Sequence, residues 1–182
     1  MDFSNRVIIF IDGSNLYHII RDIIGSSYSL IDFNFEGFTK YLCDGRKLVR
    51  VYYYTAPLDK KKDEETYKKQ QKFFEYLKKI PNFNLVLCRM QKDIDNGILK
   101  YSVKEDDIHL AVDMVKLSYN DAYDTAILVS SDGDFVPAIE AVKEKGKNVE
   151  NIGFETKFSW HLKQRSDKFK QISINKVLEF FN

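Results

Sequence analysis

Short apolar runs rich in β-branched and aromatic residues alternate along the chain with longer segments of helical spacing. The first run, residues 6–11, ends in Asp-Gly, which is typical of a buried parallel strand followed by a turn. Further strands are predicted at 48–55, 83–90, 125–130, 148–153 and 169–172. Helices are predicted at 15–24, 35–43, 63–80, 104–117, 135–145, 160–165 and 175–181. This alternation predicts an α/β fold with a mostly parallel central sheet and helices on both faces, which makes a three-layer sandwich.

Two local predictions follow from the same pattern. In the helix at 104–117, the apolar face is predicted to consist of Ile108, Ala111, Val112 and Val115. The stretch 93–102 is polar and contains a glycine, so it is predicted to be a connecting loop. Because we find no internal repeat and no low-complexity segment, a single domain over residues 1–182 is expected.

Composition narrows the class of protein. The chain is 44% hydrophobic and 30% charged, which is a soluble globular profile. Its net charge of +1 provides no overall cationic field, so nucleic-acid binding would depend on local patches. Cys43 and Cys88 are isolated, which favours a reducing compartment, and the apolar run at 7–11 is far too short to span a membrane. We therefore expect a cytoplasmic protein with no membrane partner.

Three aspartates follow predicted strands. Asp12 ends the first strand, and Asp132 and Asp134 follow the fourth. Because ligands of open α/β sheets lie outside the carboxyl ends of the strands, these carboxylates are expected to gather at one edge. A divalent cation would remove their mutual repulsion, and hard cations such as Mg²⁺ or Mn²⁺ prefer oxygen ligands. Taken singly, each aspartate is better explained as a turn residue or helix cap, Asp134 most easily as the cap of a helix starting at Phe135. Two such sites at the ends of two core strands shift the balance toward a metal site.

The helix predicted at 104–117 adds further acids. Asp106 and Asp107 lie at its start, where the helix dipole by itself favours acidic residues. Asp106 and Asp113 are seven residues apart and share a face, whereas Asp107 and Asp113 do not. Helix geometry alone therefore does not bring both Asp107 and Asp113 to one metal ion. The isolated residues His18, His109 and His161 have no spacing typical of a zinc site.

Four segments in order resemble the NYN domain family, a PIN-like nuclease group, and in particular its LabA-like branch. The matching segments are IIFIDGSNLYH at 8–18, KEDDIHLAVDM at 104–114, ILVSSDGDFVPAIEAVKEKGKNV at 127–149 and SWHLKQRSDKFKQI at 159–172. The family's residues correspond to Asp12, Asn15, Asp107, Asp113, Asp132 and Asp134. The chain departs from the family pattern at Ser131 and Gly133, where Gly and Ser are common, and both changes spare the acids.

The resemblance implies a PIN-like, Rossmann-like three-layer fold and a Mg²⁺- or Mn²⁺-dependent ribonuclease, a hydrolase acting on the ester bonds of RNA. The expected metal-binding and catalytic residues are Asp12, Asp107, Asp132 and Asp134. Asp113 is expected to orient the site without binding the metal. The residues expected to bind substrate are Ser14, Asn15, Ser130 and Lys104. A single-stranded RNA partner is expected.

Other functions remain open. One alternative is a non-catalytic PIN-like module that binds RNA or a protein for regulation. A phosphohydrolase of the haloacid-dehalogenase type is disfavoured, because Ser14 stands where that class has a second aspartate. A dinucleotide-binding enzyme is disfavoured by the lack of GxGxxG after the first strand.

Possible contact surfaces are also visible in the sequence. Lys61, Lys68, Lys72 and Lys79 form one stripe on the helix at 63–80, and a solvated helix face is favoured slightly over phosphate binding. A second basic segment, Lys157, Lys163, Arg165, Lys168 and Lys170, contains Phe158 and Trp160. These two aromatic rings either stack on unpaired bases or belong to the core. Leu178, Phe180 and Phe181 either contribute to a homodimer contact or dock on the core.

Overall fold

The computed structural model describes residues 5–25, 29–61, 63–95 and 98–181, without side chains for 90–104. The strands in chain order are β1 (Arg6–Asp12), β2 (Lys47–Thr55), β3 (Phe83–Leu87), β4 (Arg89–Asp95), β5 (Ile98–Lys104), β6 (Thr125–Val129), β7 (Asn148–Phe154) and β8 (Lys168–Ile172). Six of them form one sheet in the order β3-β2-β1-β6-β7-β8, and every pair in it is parallel. The predicted parallel sheet is therefore confirmed.

Helices connect and cover these strands. The α-helices are α1 (Gly13–Ile24), α2 (Phe35–Cys43), α3 (Glu64–Lys78), α4 (Asp106–Tyr119), α5 (Val136–Glu144), α6 (Trp160–Arg165) and α7 (Ile174–Leu178). Five begin after a residue whose side chain accepts a hydrogen bond from the first turn, namely Asp12, Asn34, Asp63, Ser159 and Ser173. Such caps satisfy backbone N–H groups that have no partner inside the helix.

The sheet separates two apolar cores. Along β1 the side chains alternate, so that Val7, Ile9 and Ile11 face one core while Ile8 and Phe10 face the other. Residues of α1, α2, α3 and α7 fill the first core, and residues of α4, α5 and α6 fill the second. This arrangement confirms the predicted α/β three-layer sandwich.

The strand order places a switch point between β1 and β6. The chain leaves β1 through α1 toward β2 and leaves β6 through α5 toward β7, in opposite directions along the sheet. Ile11 pairs with Val129, so the two strands end side by side. A crevice forms outside the carboxyl ends of strands at such a point, and it is the usual ligand site of this architecture.

The prediction of a connecting loop at residues 93–102 is wrong. β4 and β5 pair as an antiparallel hairpin, from Arg89 opposite Lys104 to Asp95 opposite Ile98. Residues 96 and 97 of this prediction lie outside the described part of the structure; in the sequence they are Asn-Gly, a dipeptide strongly typical of hairpin turns. Polar composition suggested a loop, but the turn signal was the more informative feature.

The predicted apolar face of α4 is also wrong. The buried residues of this helix are Asp106, Leu110, Met114 and Ser118, whereas Ile108 and Val112 are 66% and 55% exposed. Ala111 and Val115 are only partly buried, against the second core. Two stripes of apolar residues run along this helix. Because the start of the helix packs near β1, the stripe that includes Asp106 is the one that faces the sheet.

The C-terminal aromatic residues dock on the first core. Phe180 is buried against Phe33 and Phe38, and its carbonyl accepts a hydrogen bond from Asn34 N. Phe181 also contacts Phe33, while Leu178 is 37% exposed. Phe180 and Phe181 therefore follow the second of the two alternatives predicted for this segment, which is docking on the core and not a homodimer contact. Among the described residues, no helix is long and apolar enough to cross a membrane.

Candidate metal centre

Asp12 lies at the junction of β1 and α1 and is only 4% exposed. Its Oδ1 accepts a hydrogen bond from Asn15 N at 2.9 Å, which caps α1. Its Oδ2 accepts one from Ser130 Oγ, also at 2.9 Å, immediately beyond β6. The carboxylate is thus held by both strands at the switch point, and both of its oxygens are oriented.

The start of α4 brings two more carboxylates to the same place. Asp106 is buried, and its Oδ2 accepts a hydrogen bond from Ser14 Oγ at 3.1 Å. One carboxylate oxygen from each of Asp12, Asp106 and Asp107 lies within 4.8 Å of the other two. Glu105, just before the helix, adopts a left-handed conformation with φ of 80°, a backbone state that is unusual for a side chain of this kind.

Burial, with a smaller contribution from neighbouring carboxylates, raises the pKa of two of these carboxyls. Burial raises the pKa of Asp12 to about 7, with smaller contributions from Asp107 and Asp106, although hydrogen bonds from Asn15 and Ser130 oppose the shift. The pKa of Asp107 rises to about 6, again first from burial and then from repulsion by neighbouring carboxylates. A bound cation would oppose both shifts, because it favours the ionised form of a neighbouring carboxyl.

The segment after β6 forms the other wall of the site. Ser130 Oγ accepts a hydrogen bond from Asp132 N, and Asp132 Oδ1 accepts one from Asp134 N. The turn Gly133–Phe135 therefore has Asp132 as its cap, and the interpretation of Asp134 as the cap of α5 is wrong. Both aspartates lie close enough to Asp107 to raise its pKa.

The chemistry of these donors fits a hard divalent cation. Five carboxylates surround the crevice, and none forms an ion pair with a lysine or arginine whose side chain the structure describes. Oxygen donors of this kind suit Mg²⁺ or Mn²⁺, whereas no histidine or cysteine belongs to the described cluster. The residues that could hold the ion are first Asp12, Asp106 and Asp107.

The structure brings together some of the predicted site residues and not others. Asp12 and Asp107 meet as expected, and Asp132 and Asp134 lie beside Asp107 but outside the three-residue cluster. Asp106 was not predicted to bind a metal. The four-residue spacing from Asp106 to the apolar residues Leu110 and Met114 was the sequence signal that it would face inward.

The residues predicted to bind substrate have positioning contacts. Ser14 and Ser130 donate hydrogen bonds to Asp106 and Asp12, respectively. Asn15 Oδ1 accepts from both the backbone N and Oγ of Ser131, at 3.2 and 3.0 Å. The side chain of Lys104 lies outside the described part of the structure. Their contacts with a substrate remain predictions.

Asp113 lies away from the cluster and tethers α4 to the sheet. Its Oδ2 accepts a hydrogen bond from Tyr54 Oη at 3.1 Å, where Tyr54 is a buried residue of β2. Its Oδ1 is 3.6 Å from Lys116 Nζ. These contacts suit the predicted orienting role, because they fix the helix that carries Asp106 and Asp107.

Replacing Tyr54 with Phe tests this tether. The change removes the hydrogen bond to Asp113, so we expect a loss of about 1 kcal/mol in unfolding free energy and a few-fold weaker Mn²⁺ binding. Tyr52→Phe is a matched control on the same strand, because the Tyr52 hydroxyl forms no hydrogen bond with the described residues. Urea unfolding and calorimetric Mn²⁺ titration provide the two measurements. If the two substitutions had equal effects, the Tyr54–Asp113 hydrogen bond would not be what holds α4 to the sheet.

Sequence comparisons find proteins similar to this chain. The family model described as NYN domain matches residues 6–173, nearly the whole chain. An uncharacterized protein of Methanocaldococcus jannaschii is 43% identical over 68 residues, which is 37% of this chain and 28% of that protein. The chain therefore matches less than a third of that relative's length.

A solved structure has a similar fold. It is a protein of unknown function from Vibrio parahaemolyticus, with a TM-score of 0.64 and 21% sequence identity. The likeness covers 94% of this chain and 95% of that one. At this level of identity it supports the fold alone, with the same arrangement over nearly the full length.

Proposed function

The chain belongs to the NYN domain family, and we propose that it is a metal-dependent ribonuclease that hydrolyses phosphodiester bonds of single-stranded RNA. The observation that carries the proposal is the cluster of Asp12, Asp106 and Asp107, whose ligand atoms lie within 4.8 Å of one another. Mg²⁺ or Mn²⁺ is the proposed ion, because it prefers carboxylate oxygens and accepts phosphate oxygens as further ligands.

The chain's own residues prepare this site. Asp12 is the central ligand, since hydrogen bonds from Asn15 N and Ser130 Oγ hold both of its oxygens. Ser14 orients Asp106, and Asp132 and Asp134 extend the negative wall beside Asp107. When bound, a divalent cation in this class of site lowers the pKa of a water ligand and polarises the scissile phosphate.

Asn15 is proposed to contact the substrate. Its side-chain oxygen is occupied by two donors from Ser131, which sets the orientation of the amide group. Asn15 is half-buried as a residue, and its Nδ2 group donates no hydrogen bond to the described residues. It is therefore available to donate to a phosphate oxygen that approaches Asp12.

The experiment is cleavage of an end-labelled single-stranded RNA by the purified protein with Mn²⁺ or Mg²⁺, with EDTA, and with an Asp12→Asn variant. The proposal expects cleavage that requires metal and is lost in the variant. Asp22→Asn is the matched control, because Asp22 is exposed on the same helix and away from the cluster. Cleavage that survives both EDTA and Asp12→Asn would contradict the proposal. Metal binding without cleavage of any RNA would favour the non-catalytic module.

Metal affinity should depend steeply on pH. Asp12 and Asp107, with pKa values of about 7 and about 6, must lose protons before they bind a cation. Affinity should therefore increase with pH by up to about a hundredfold per unit below pH 6, by about tenfold per unit between 6 and 7, and little above pH 7. Calorimetric Mn²⁺ titrations from pH 5 to pH 8 provide the measurement. An Mn²⁺ affinity that does not change over this pH range would be inconsistent with two ligands that must lose a proton before they bind the ion.

A further inference from the structure

The segment that begins α6 lies against the acidic turn. A Cβ added at Gly133 would be 3.4 Å from His161 Nδ1 and 3.5 Å from Ser159 Oγ. Gly133 stands between Asp132 and Asp134, and Trp160 stands between Ser159 and His161. Trp160 therefore lies between two residues whose side chains are close to Gly133, and α6 packs against the Gly133–Phe135 turn.

Trp160, the only tryptophan of the chain, is exposed to solvent. Its side chain is 62% exposed, and its ring meets Phe158 edge-on at 5.4 Å between centroids. Phe158 is half-buried and packs in turn on Phe169 of β8 at 5.6 Å. The indole therefore rests on an ordered aromatic base while much of its surface faces solvent, contrary to the interpretation of Trp160 as core.

A cation is part of the same cluster. Lys163 Nζ is 4.7 Å from the Trp160 ring centroid, 5.1 Å from that of Phe169 and 5.7 Å from that of Phe158. It forms no ion pair with a carboxylate of the described residues. Its charge is therefore available to a phosphate next to the aromatic surface, which we call the Trp160 platform (Phe158, Trp160, Lys163 and Phe169).

We propose that the Trp160 platform stacks an unpaired base of a single-stranded nucleic acid whose backbone crosses the aspartate cluster. This inference rests on the proposed function, which supplies the nucleic acid. An exposed aromatic ring beside an uncompensated lysine matches both parts of a nucleotide, the flat base and the anionic phosphate. Because α6, which begins at Trp160, packs against the Gly133–Phe135 turn, the platform is on a helix that adjoins the proposed reaction centre.

The other basic surface is less suited to this role. On α3, Lys68 pairs with Glu64 at 3.1 Å and Lys69 pairs with Glu65 at 2.8 Å. These pairs neutralise each other along the helix, and the buried aromatic rings of α3, Phe73 and Phe74, face the core. Of the four lysines of the predicted stripe, Lys68 thus has its charge paired, and α3 presents no exposed aromatic ring on which a base could stack.

The test uses the intrinsic fluorescence of the single tryptophan, excited where tyrosine does not absorb. A phosphorothioate oligouridine is titrated into the full chain with Mg²⁺, beside an abasic oligomer of the same length and linkage. Stacking on Trp160 should quench its emission with the oligouridine and not with the abasic oligomer. No quenching at saturation, established by anisotropy of a labelled oligomer, would overturn the proposal, as would equal quenching by both oligomers.

Variants make the test specific. Trp160→Ala should weaken oligouridine binding by about 5- to 150-fold, the range of one stacked base, and Trp160→Phe should retain part of it. Tyr119→Ala is the matched control, since Tyr119 is a 55% exposed aromatic residue at the far end of α4. Weakening by Tyr119→Ala but not by Trp160→Ala would overturn the proposal in favour of the surface between α4 and α5.

The same experiment separates the two proposals. Oligouridine-specific quenching without cleavage of any RNA would support the stacking site while the nuclease proposal fails. Metal-dependent cleavage without quenching would support the nuclease and overturn the stacking site. Far-ultraviolet circular dichroism and thermal unfolding of Trp160→Ala establish that the variant is folded, which we expect because the indole is largely exposed.

Discussion

Asp12→Asn is expected to stabilise the metal-free protein and to abolish its stabilisation by Mn²⁺. Asp12 is buried and its pKa is about 7, well above the value in an unfolded chain. Its favourable contribution is therefore present at low pH and is lost as pH rises through about 7. At pH 8 the neutral amide should increase the unfolding free energy by about 2 kcal/mol, after allowance for a weakened hydrogen bond to Ser130.

Stabilisation by Mn²⁺ should be larger for the wild-type protein than for Asp12→Asn. Wild-type protein at an Mn²⁺ concentration of about 100 times Kd should gain about 2.7 kcal/mol, and Asp12→Asn should gain almost none. Chemical unfolding at pH 8 and pH 4, with and without Mn²⁺, provides both quantities. The stabilising effect should shrink toward pH 4, where Asp12 is protonated in wild type. A variant that is less stable than wild type at pH 8 without metal, or that still responds to Mn²⁺, would contradict this account; Asp22→Asn should behave as wild type.

Gly13→Ala is expected to destabilise the protein by about 3 kcal/mol and to weaken metal binding. A Cβ at this position would overlap the Tyr53 ring and lie 2.5 Å from the carbonyl oxygen of Tyr54. Backbone and a fully buried ring cannot move aside cheaply in a close-packed interior. The start of α1 would have to shift away from β2, and Asp12, Ser14 and Asn15 would shift with it.

Gly37→Ala is the matched control for this substitution. Its Cβ would be 2.9 Å from the side-chain amide of Asn34, the cap of α2, so the cost of disturbing that cap is offset by the preference for Ala over Gly within a helix. We expect the stability of this variant to remain within about 1 kcal/mol of wild type. Thermal unfolding and Mn²⁺ titration of both variants check the expectation. Similar stability of Gly13→Ala and wild type would show that α1 and β2 are not closely packed there.

The six strands of the parallel sheet and most helices of this fold could be predicted from the sequence, whereas the hairpin of β4 and β5 was not predicted. The run before Asp12 is β-branched and ends in a turn signal, so local preference and tertiary burial agree. The α2 and α6 predictions match the observed helices, because capping residues Asn34 and Ser159 precede them. Other boundaries differ by one to three residues, except that the strand predicted at 83–90 divides into β3 and the start of β4.

The candidate site could be predicted only in part. Asp12 could be predicted as a metal ligand from its place after the first strand, whereas Asp107 could be predicted as one only from the family resemblance. Asp106 was missed because two apolar stripes competed on α4, and a helix pattern does not state which stripe meets the sheet. Trp160 was ambiguous for the same reason, since an aromatic residue in a short helix suits both a core and a surface.

By itself, the sequence determined the alternation of strands and helices, the parallel sheet and the position of Asp12 after β1. These features depend on side-chain period, turn residues and capping, which act between neighbours in the chain. Only the tertiary structure decided that β1 and β6 lie side by side, that Asp106 faces Asp12, and that Trp160 stands exposed beside the acidic turn. These arrangements depend on how the two helical layers pack on the sheet, because contacts between distant segments select among orientations that local sequence leaves nearly equal in energy.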